Sequence, residues 1–165
     1  MAPHFDFLQH LPDSARVWIY QSDRVLTETE AVSITKEAAE FTQSWSSHAR
    51  PVDSAATVLF SRFLVIAANE QQFTVSGCGI DSSVHFVKAL CSKYQVDFFN
   101  RQIITYLQED KVAAVDRAAF EHLLAKEQID DDTIVFNNMV TTKAALLNQW
   151  MVPLRESWHK QVFSI

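Results

Sequence analysis

The chain is poor in glycine, proline and cysteine, which number two, four and two among 165 residues. Two cysteines cannot build a disulfide scaffold, and a 48% hydrophobic share with 21% charged residues excludes a disordered chain. The longest apolar runs, such as residues 63–68, are far shorter than the ~20 residues that cross a bilayer. We therefore expect one domain over residues 1–165, with a core over about 16–107 and an extension over about 108–165.

Positive charge is also scarce, since 14 lysines and arginines face 20 acidic residues and leave a net charge of −6. Proteins that bind nucleic acids or anionic membranes need a positive field, so we predict no nucleic-acid partner, and the short apolar runs predict no membrane insertion. The first six residues lack the basic start and apolar segment of an export signal. These features predict a soluble, cytoplasmic protein.

The apolar periodicity of the first two thirds of the chain predicts an α+β fold. Residues 16–21 have a strand composition, and Thr27 and Glu30 form a capping box before an amphipathic helix that reaches Trp45. Residues 55–60 and 63–67 are two strands joined by a hairpin at 61–62, or one long bent strand. A second helix over about 81–94 and a strand over 102–107 complete the order of a ferredoxin-like (split βαβ) core.

The remaining residues predict a C-terminal α/β extension. It contains a strand at 112–115, a helix capped by Asp116, a strand at 133–136 and a short helix from Thr141 or Thr142 to near Pro153. The central strands at 17–20 and 63–67 are apolar at consecutive positions, which indicates burial on both faces. The extension would cover the second face, or a second copy would do so in a homodimer.

Both glycines flank one cysteine, in Ser76-Gly77-Cys78-Gly79-Ile80-Asp81-Ser82-Ser83. Glycine supplies backbone freedom, and this stretch precedes a helix N-terminus, where free amides favour anions. Gly77, Cys78, Gly79, Asp81 and Ser82 are therefore candidates for an anion site, or for a loop that presents Cys78 as a weak candidate nucleophile. The structural alternative is a tight turn in which Asp81 is the N-cap and its carboxylate occupies the anion site.

A second polar cluster follows the strand at 133–136. Its candidate ligand-binding residues are Asn137, Asn138, Thr141, Thr142 and Lys143. Two amides, two hydroxyls and an ammonium at a strand end can bind a polar or anionic ligand. The alternative is an Asx turn followed by a helix cap, which uses the same residue types.

No metal site is expected, because the chain has neither Cys-x-x-Cys nor His-Glu-x-x-His and its six histidines are scattered. His4 and His10 fall in an irregular N-terminal stretch that we expect to be mobile. The C-terminal end, residues 158–163, is rich in aromatic residues, which indicates a tail packed on its own domain or an interface for a partner.

Three segments together carry a resemblance: residues 76–84, residues 136–143 and Ser157-Trp158-His159. In these motifs the chain resembles a bacterial family of short, uncharacterised proteins that are sometimes labelled "ABC transporter ATPase". ATP hydrolysis of that type needs a glycine-rich loop that ends in Lys-Ser or Lys-Thr and holds the phosphates. No lysine follows the two glycines until Lys88, so transporter-type ATPase activity is excluded.

The sequence thus predicts an uncharacterised binding or regulatory module for a small anionic or polar ligand or a protein partner, without a cofactor. A small enzyme that uses Cys78 or the helix N-terminus in the same pocket is the alternative. Both hypotheses expect the two polar clusters to meet around one surface.

Overall fold

The computed structural model describes residues 3–163, which belong to two compact units. The first unit contains the residues up to 100 and residues 141–144, and the second contains residues 101–140 and those from 145 onward. Helices and sheets occur in both units, so the α+β class is confirmed.

The first unit contains a three-stranded sheet with two long helices. In chain order its elements are β1 (Arg16–Gln21), α1 (Glu28–Ser44), β2 (Ser46–Ser47), β3 (Arg50–Pro51), β4 (Ser54–Leu59), β5 (Phe63–Ala68) and α2 (Gly77–Tyr94). The sheet order is β1-β5-β4 with antiparallel pairing throughout, so that Ile66 lies between Trp18 and Ala56. A separate small hairpin pairs β2 with β3.

Local sequence signals explain the first half of this unit. The capping box is confirmed, because the Thr27 hydroxyl accepts from the Glu30 amide while the Glu30 carboxylate accepts from the Thr27 amide. The hairpin alternative for β4 and β5 is also confirmed. Its turn places Phe60 and Ser61 at φ values of 55° and 50°, a conformation usually taken by glycine or asparagine.

Strand β5 is buried on both faces, as its continuous apolar sequence predicts, and all six of its residues are inaccessible. On one face the helices contribute Ile34, Ala38, Val87 and Leu90 to the same core as Leu64 and Ile66. The burial of β5 is complete within one chain, so it does not require a second copy.

The N-terminal residues are more ordered than the sequence predicts. A 3₁₀ helix spans Asp6–Leu8 and packs on β4, and both Leu8 and Leu11 are buried. The ring of His10 lies 3.3 Å from the carboxylate of Asp53. The expectation of a mobile stretch around His10 is therefore wrong, because two leucines anchor it.

The second unit contains a four-stranded antiparallel sheet of order β7-β6-β8-β9. Its strands are β6 (Ile104–Gln108), β7 (Lys111–Val115), β8 (Ile134–Phe136) and β9 (Met151–Pro153), and its helices are α3 (Arg117–Ala125), the end of α4 (Lys143–Gln149) and α5 (Trp158–Val162). Asp116 caps α3 as predicted, by accepting from the Ala119 amide. The last predicted helix ends at Gln149 rather than near Pro153, because residues 151–153 pair with β8 as a strand.

The complete ferredoxin-like core is not confirmed. The first three strands have the order and direction of a split βαβ pattern, but the strand predicted at 102–107 appears as β6 in the second unit's sheet. A tight turn at Glu109 and Asp110 folds β6 back onto β7, which satisfies one edge of β6 locally. The outer edge of β1 instead carries a bridge between Arg16 and Thr142.

Within residues 3–163, no helix combines the length and the apolar composition that a membrane crossing requires.

Candidate functional site

Helix α2 begins four residues earlier than the sequence predicts. Ser76 is its N-cap and its hydroxyl oxygen accepts from the Gly79 amide at 3.1 Å. The prediction that Asp81 caps the helix is therefore wrong, and Asp81 lies exposed in the second turn. The serine hydroxyl reaches the amide three residues later, and this cap offsets part of the cost of two glycines in the helix.

The two glycines are not needed for an unusual backbone conformation, contrary to the prediction. Both lie in the first turn of α2, and neither has a positive φ. Gly79 instead allows a close approach, because a Cβ there would lie 2.8 Å from a Val75 methyl carbon. The carbonyl of Gly79 also accepts from the indole nitrogen of Trp45 at 2.8 Å.

The start of α2 presents two free amides. The N–H groups of Gly77 and Cys78 have no hydrogen-bond acceptor in the part of the chain that the structure describes. The first turn contains no acidic residue, so no carboxylate of its own competes for these donors. Free amides at the positive end of an 18-residue helix favour an anion.

The β2–β3 hairpin lies beside this helix start. The Ser47 hydroxyl accepts from the Ser76 amide at 2.8 Å, and the Arg50 guanidinium lies 4.0 Å from the centre of the Phe73 ring. Arg50 is therefore a cation held against the segment that leads into α2. Sequence reasoning missed Ser47 and Arg50, because only the folded chain brings them next to Ser76 and Phe73, which are 29 and 23 positions away.

Cys78 is exposed on the first turn of α2, and its carbonyl accepts from the Ser82 hydroxyl. Asp81 and His85 are also exposed, and no hydrogen bond joins them to each other or to Cys78 among residues 3–163. The thiol thus has no general base within reach in this structure. Cys91 is partly buried, and that burial raises the pKa of its thiol.

Asn137 and Asn138 lie in the second unit and make structural hydrogen bonds. The Asn137 side-chain oxygen accepts from the Met139 amide, which is an Asx turn. The Asn138 side-chain oxygen accepts from the indole nitrogen of Trp150 at 2.9 Å. This pattern matches the turn alternative that the sequence left open.

Thr141, Thr142 and Lys143 belong to the first unit. Thr142 pairs with Arg16, and the Lys143 ammonium donates to the Leu11 carbonyl at 2.7 Å. Helix α4 begins at Lys143, one residue after the later of the two predicted starts. The predicted polar cluster is thus divided between the two units.

Thr142 and the start of α2 lie at the same end of the first sheet. The Arg16 guanidinium opposite Thr142 is 3.9 Å from Glu70, whose carboxylate accepts from the Val75 amide at 2.6 Å. The expectation that one surface unites residues 77–82 with residues 137–143 stays a prediction.

Most of the aromatic tail packs on its own unit. Phe163 lies 5.2 Å from Phe120 between ring centres, and His159 is buried with its Nδ1 2.5 Å from the Ser157 hydroxyl. Burial lowers the pKa of His159 to about 4. Trp158 remains 40% exposed beside it.

Among residues 3–163, no group of three or more His, Cys, Asp or Glu side chains is placed to hold a metal ion. No protein-family model, curated protein or solved structure matches this chain. The resemblance to the bacterial family therefore stays a prediction.

Proposed function

We propose that this protein is a cytoplasmic binding or regulatory module that binds an oxyanion of a small ligand at the start of α2. One observation carries the proposal: the Gly77 and Cys78 amides are free at the N-terminus of a long helix whose first turn has no acid. Arg50, on the hairpin that contacts Ser76, places a positive charge over Phe73, four residues before Gly77. Hydrogen bonds from two amides and a cation suit a phosphate or a carboxylate.

A binding role fits this geometry better than catalysis does. A nucleophilic cysteine needs a base within hydrogen-bond reach, and Cys78 has none among the described residues. The exposed thiol favours a small enzyme as the second candidate function. Neither candidate uses a transporter-type phosphate loop, which this sequence does not contain.

A thermal-shift screen of nucleotides, phosphates and small acids tests the proposal, because binding to the folded state raises the unfolding midpoint. Proline is compatible with the first helical position, where the amide makes no intrahelical bond. Gly77→Pro therefore removes one free donor and leaves the helix intact, whereas the matched control Gly77→Ala keeps that donor.

We expect Gly77→Pro to weaken binding of the best anion by about tenfold, since a hydrogen bond to a charged group contributes ~1.5 kcal/mol or more. Gly77→Ala should bind like the original protein. Equal affinity of the two variants, or no anion that raises the midpoint, would refute the site.

The two candidate functions differ at Cys78. In a binding module, Cys78→Ser retains anion binding, and the Cys78 thiol alkylates no faster than a free thiol near neutral pH. In an enzyme, the thiol alkylates faster than a free thiol and Cys78→Ser abolishes turnover. A homodimer or a protein partner stays a separate prediction, and the mass measured by light scattering tests the homodimer.

A further inference from the structure

Arg62 is a buried cation at the end of the turn that joins β4 to β5. Arg62 is only 6% exposed, and its Nη1 donates to the Ser22 carbonyl at 3.0 Å. Burial lowers the pKa of its guanidinium, while the charge of Asp23 acts in the opposite direction.

The guanidinium of Arg62 has an unmet donor. Its buried Nε finds no acceptor among residues 3–163, and Arg62 forms no ion pair with a carboxylate there. Arg24 provides the contrast, because its two terminal nitrogens bond both oxygens of Glu30 at 2.8 and 2.9 Å. Buried charges in folded proteins are normally paired and hydrogen-bonded, so the free donor of Arg62 indicates a missing partner.

The geometry of the guanidinium specifies what that partner is. Nη1 is occupied by Ser22, which leaves the edge formed by Nε and Nη2. Two parallel N–H groups on one edge of a guanidinium match the two oxygens of a carboxylate or a phosphate. Because the negative charge of Asp23 acts on the same guanidinium, a singly charged carboxylate is favoured over a doubly charged phosphate.

The turn that carries Arg62 is strained. Phe60 and Ser61 both have positive φ values, and a bulky residue in that conformation is a backbone outlier. Strained positions of this kind occur at ligand clamps, where the surroundings hold them. A ligand reaches the buried Nε edge only if this turn shifts, which breaks the hydrogen bonds from the Ser22 amide to the Arg62 carbonyl and from the Leu26 amide to the Ser61 carbonyl.

We propose that Arg62 binds a carboxylate through its Nε–Nη2 edge when the turn at residues 59–62 shifts. This site is distinct from the one at the start of α2. Strand β5 runs from Phe63, beside Arg62, to Ala68, and the start of α2 follows that far end. The proposal does not depend on the proposed function.

Side-chain ¹H–¹⁵N NMR of the arginine Nε–H groups tests it, with acetate, phosphate and chloride as probes at constant ionic strength. We expect the Arg62 signal to move saturably with acetate and to respond little to phosphate or chloride. The Arg24 signal is the internal control and should stay in place, since Glu30 already occupies its guanidinium.

Arg62→Lys keeps the charge and a donor for Ser22 but removes the two-donor edge. We expect this variant to keep its backbone amide spectrum and to bind acetate at least tenfold more weakly. Gly77→Pro should leave the acetate response of Arg62 unchanged, which separates this site from the one at α2. An Arg62 signal that moves no more than that of Arg24, or that moves equally with chloride, would overturn the proposal. A saturable response to phosphate alone would overturn the assignment of a carboxylate.

Discussion

Alanine at each of the two glycines of α2 should change stability in opposite directions. A Cβ at Gly77 would meet no atom within 4 Å, whereas a Cβ at Gly79 would lie 2.8 Å from Val75 and 3.5 Å from the Ser46 carbonyl oxygen. Alanine is better than glycine in a helix by up to about 1 kcal/mol, and less in a first turn, so Gly77→Ala should add ~0.5 kcal/mol.

Gly79→Ala gains the same helix propensity but crowds a buried site. Val75 is only 5% exposed and its amide is held by Glu70, so it has little room to move. Overpacking of this kind costs about 1–3 kcal/mol, and we expect a net loss of ~1–2 kcal/mol.

Urea unfolding of both variants and of the original chain, followed by circular dichroism, measures these changes as shifts in midpoint at constant slope. The comparison isolates the role of each glycine, because both substitutions add the same methyl group two residues apart. If both variants gained stability equally, the close approach at Gly79 would have no cost. If both lost it equally, backbone freedom at Gly77 would matter after all, contrary to its helical conformation.

Three further predictions concern other features of the fold. Ala49→Gly should raise the free energy of unfolding in urea by about 1 kcal/mol, because Ala49 in the β2–β3 turn has a φ of 61°, which is unfavourable for alanine but not for glycine. An unchanged free energy of unfolding would refute strain at Ala49. Burial lowers the pKa of His159 from 6.5 to about 4 in the folded protein. The neutral ring therefore makes its full contribution to the free energy of unfolding above pH 6.5, and about 3 kcal/mol of that contribution is lost as the pH falls to 4. His159→Phe should remove that part of the pH dependence of unfolding, and an unchanged profile would contradict it. Mass spectrometry after brief alkylation should find Cys78 modified at least tenfold faster than Cys91, because Cys78 is exposed and Cys91 is partly buried; equal rates would refute this order.

The sequence predicted those elements whose signals are short-range. Strand β1 has the predicted bounds, the capping box at Thr27 forms as expected, and Asp116 caps α3. Both caps depend on a side chain three residues from the backbone amide it satisfies, and β1 follows from the β-branched and aromatic composition of its own six residues. The hairpin of β4 and β5 was one of two alternatives, since the turn at Phe60 and Ser61 lacks the residues that favour positive φ.

The candidate site was located only in part. The sequence indicated residues 76–83 as a candidate site, but for the wrong reason, because neither glycine has a positive φ and only Gly79 permits a close approach. The cap by Ser76 removes Asp81 from the anion position and leaves two amides free. Ser47 and Arg50 carry no local signal, and Arg62 resembles any surface arginine until its burial is known.

What the sequence alone determined is where the longer helices and strands lie, to within a few residues, because periodicity and capping act over single turns of chain. The tertiary structure decided which sheet each strand joined, as β6 shows by pairing with β7 rather than β1. It also decided which polar groups were satisfied: Asn138 has the Trp150 indole, while the Nε of Arg62 has no acceptor among residues 3–163. Partners far apart in sequence are chosen by packing, which no short stretch of residues encodes.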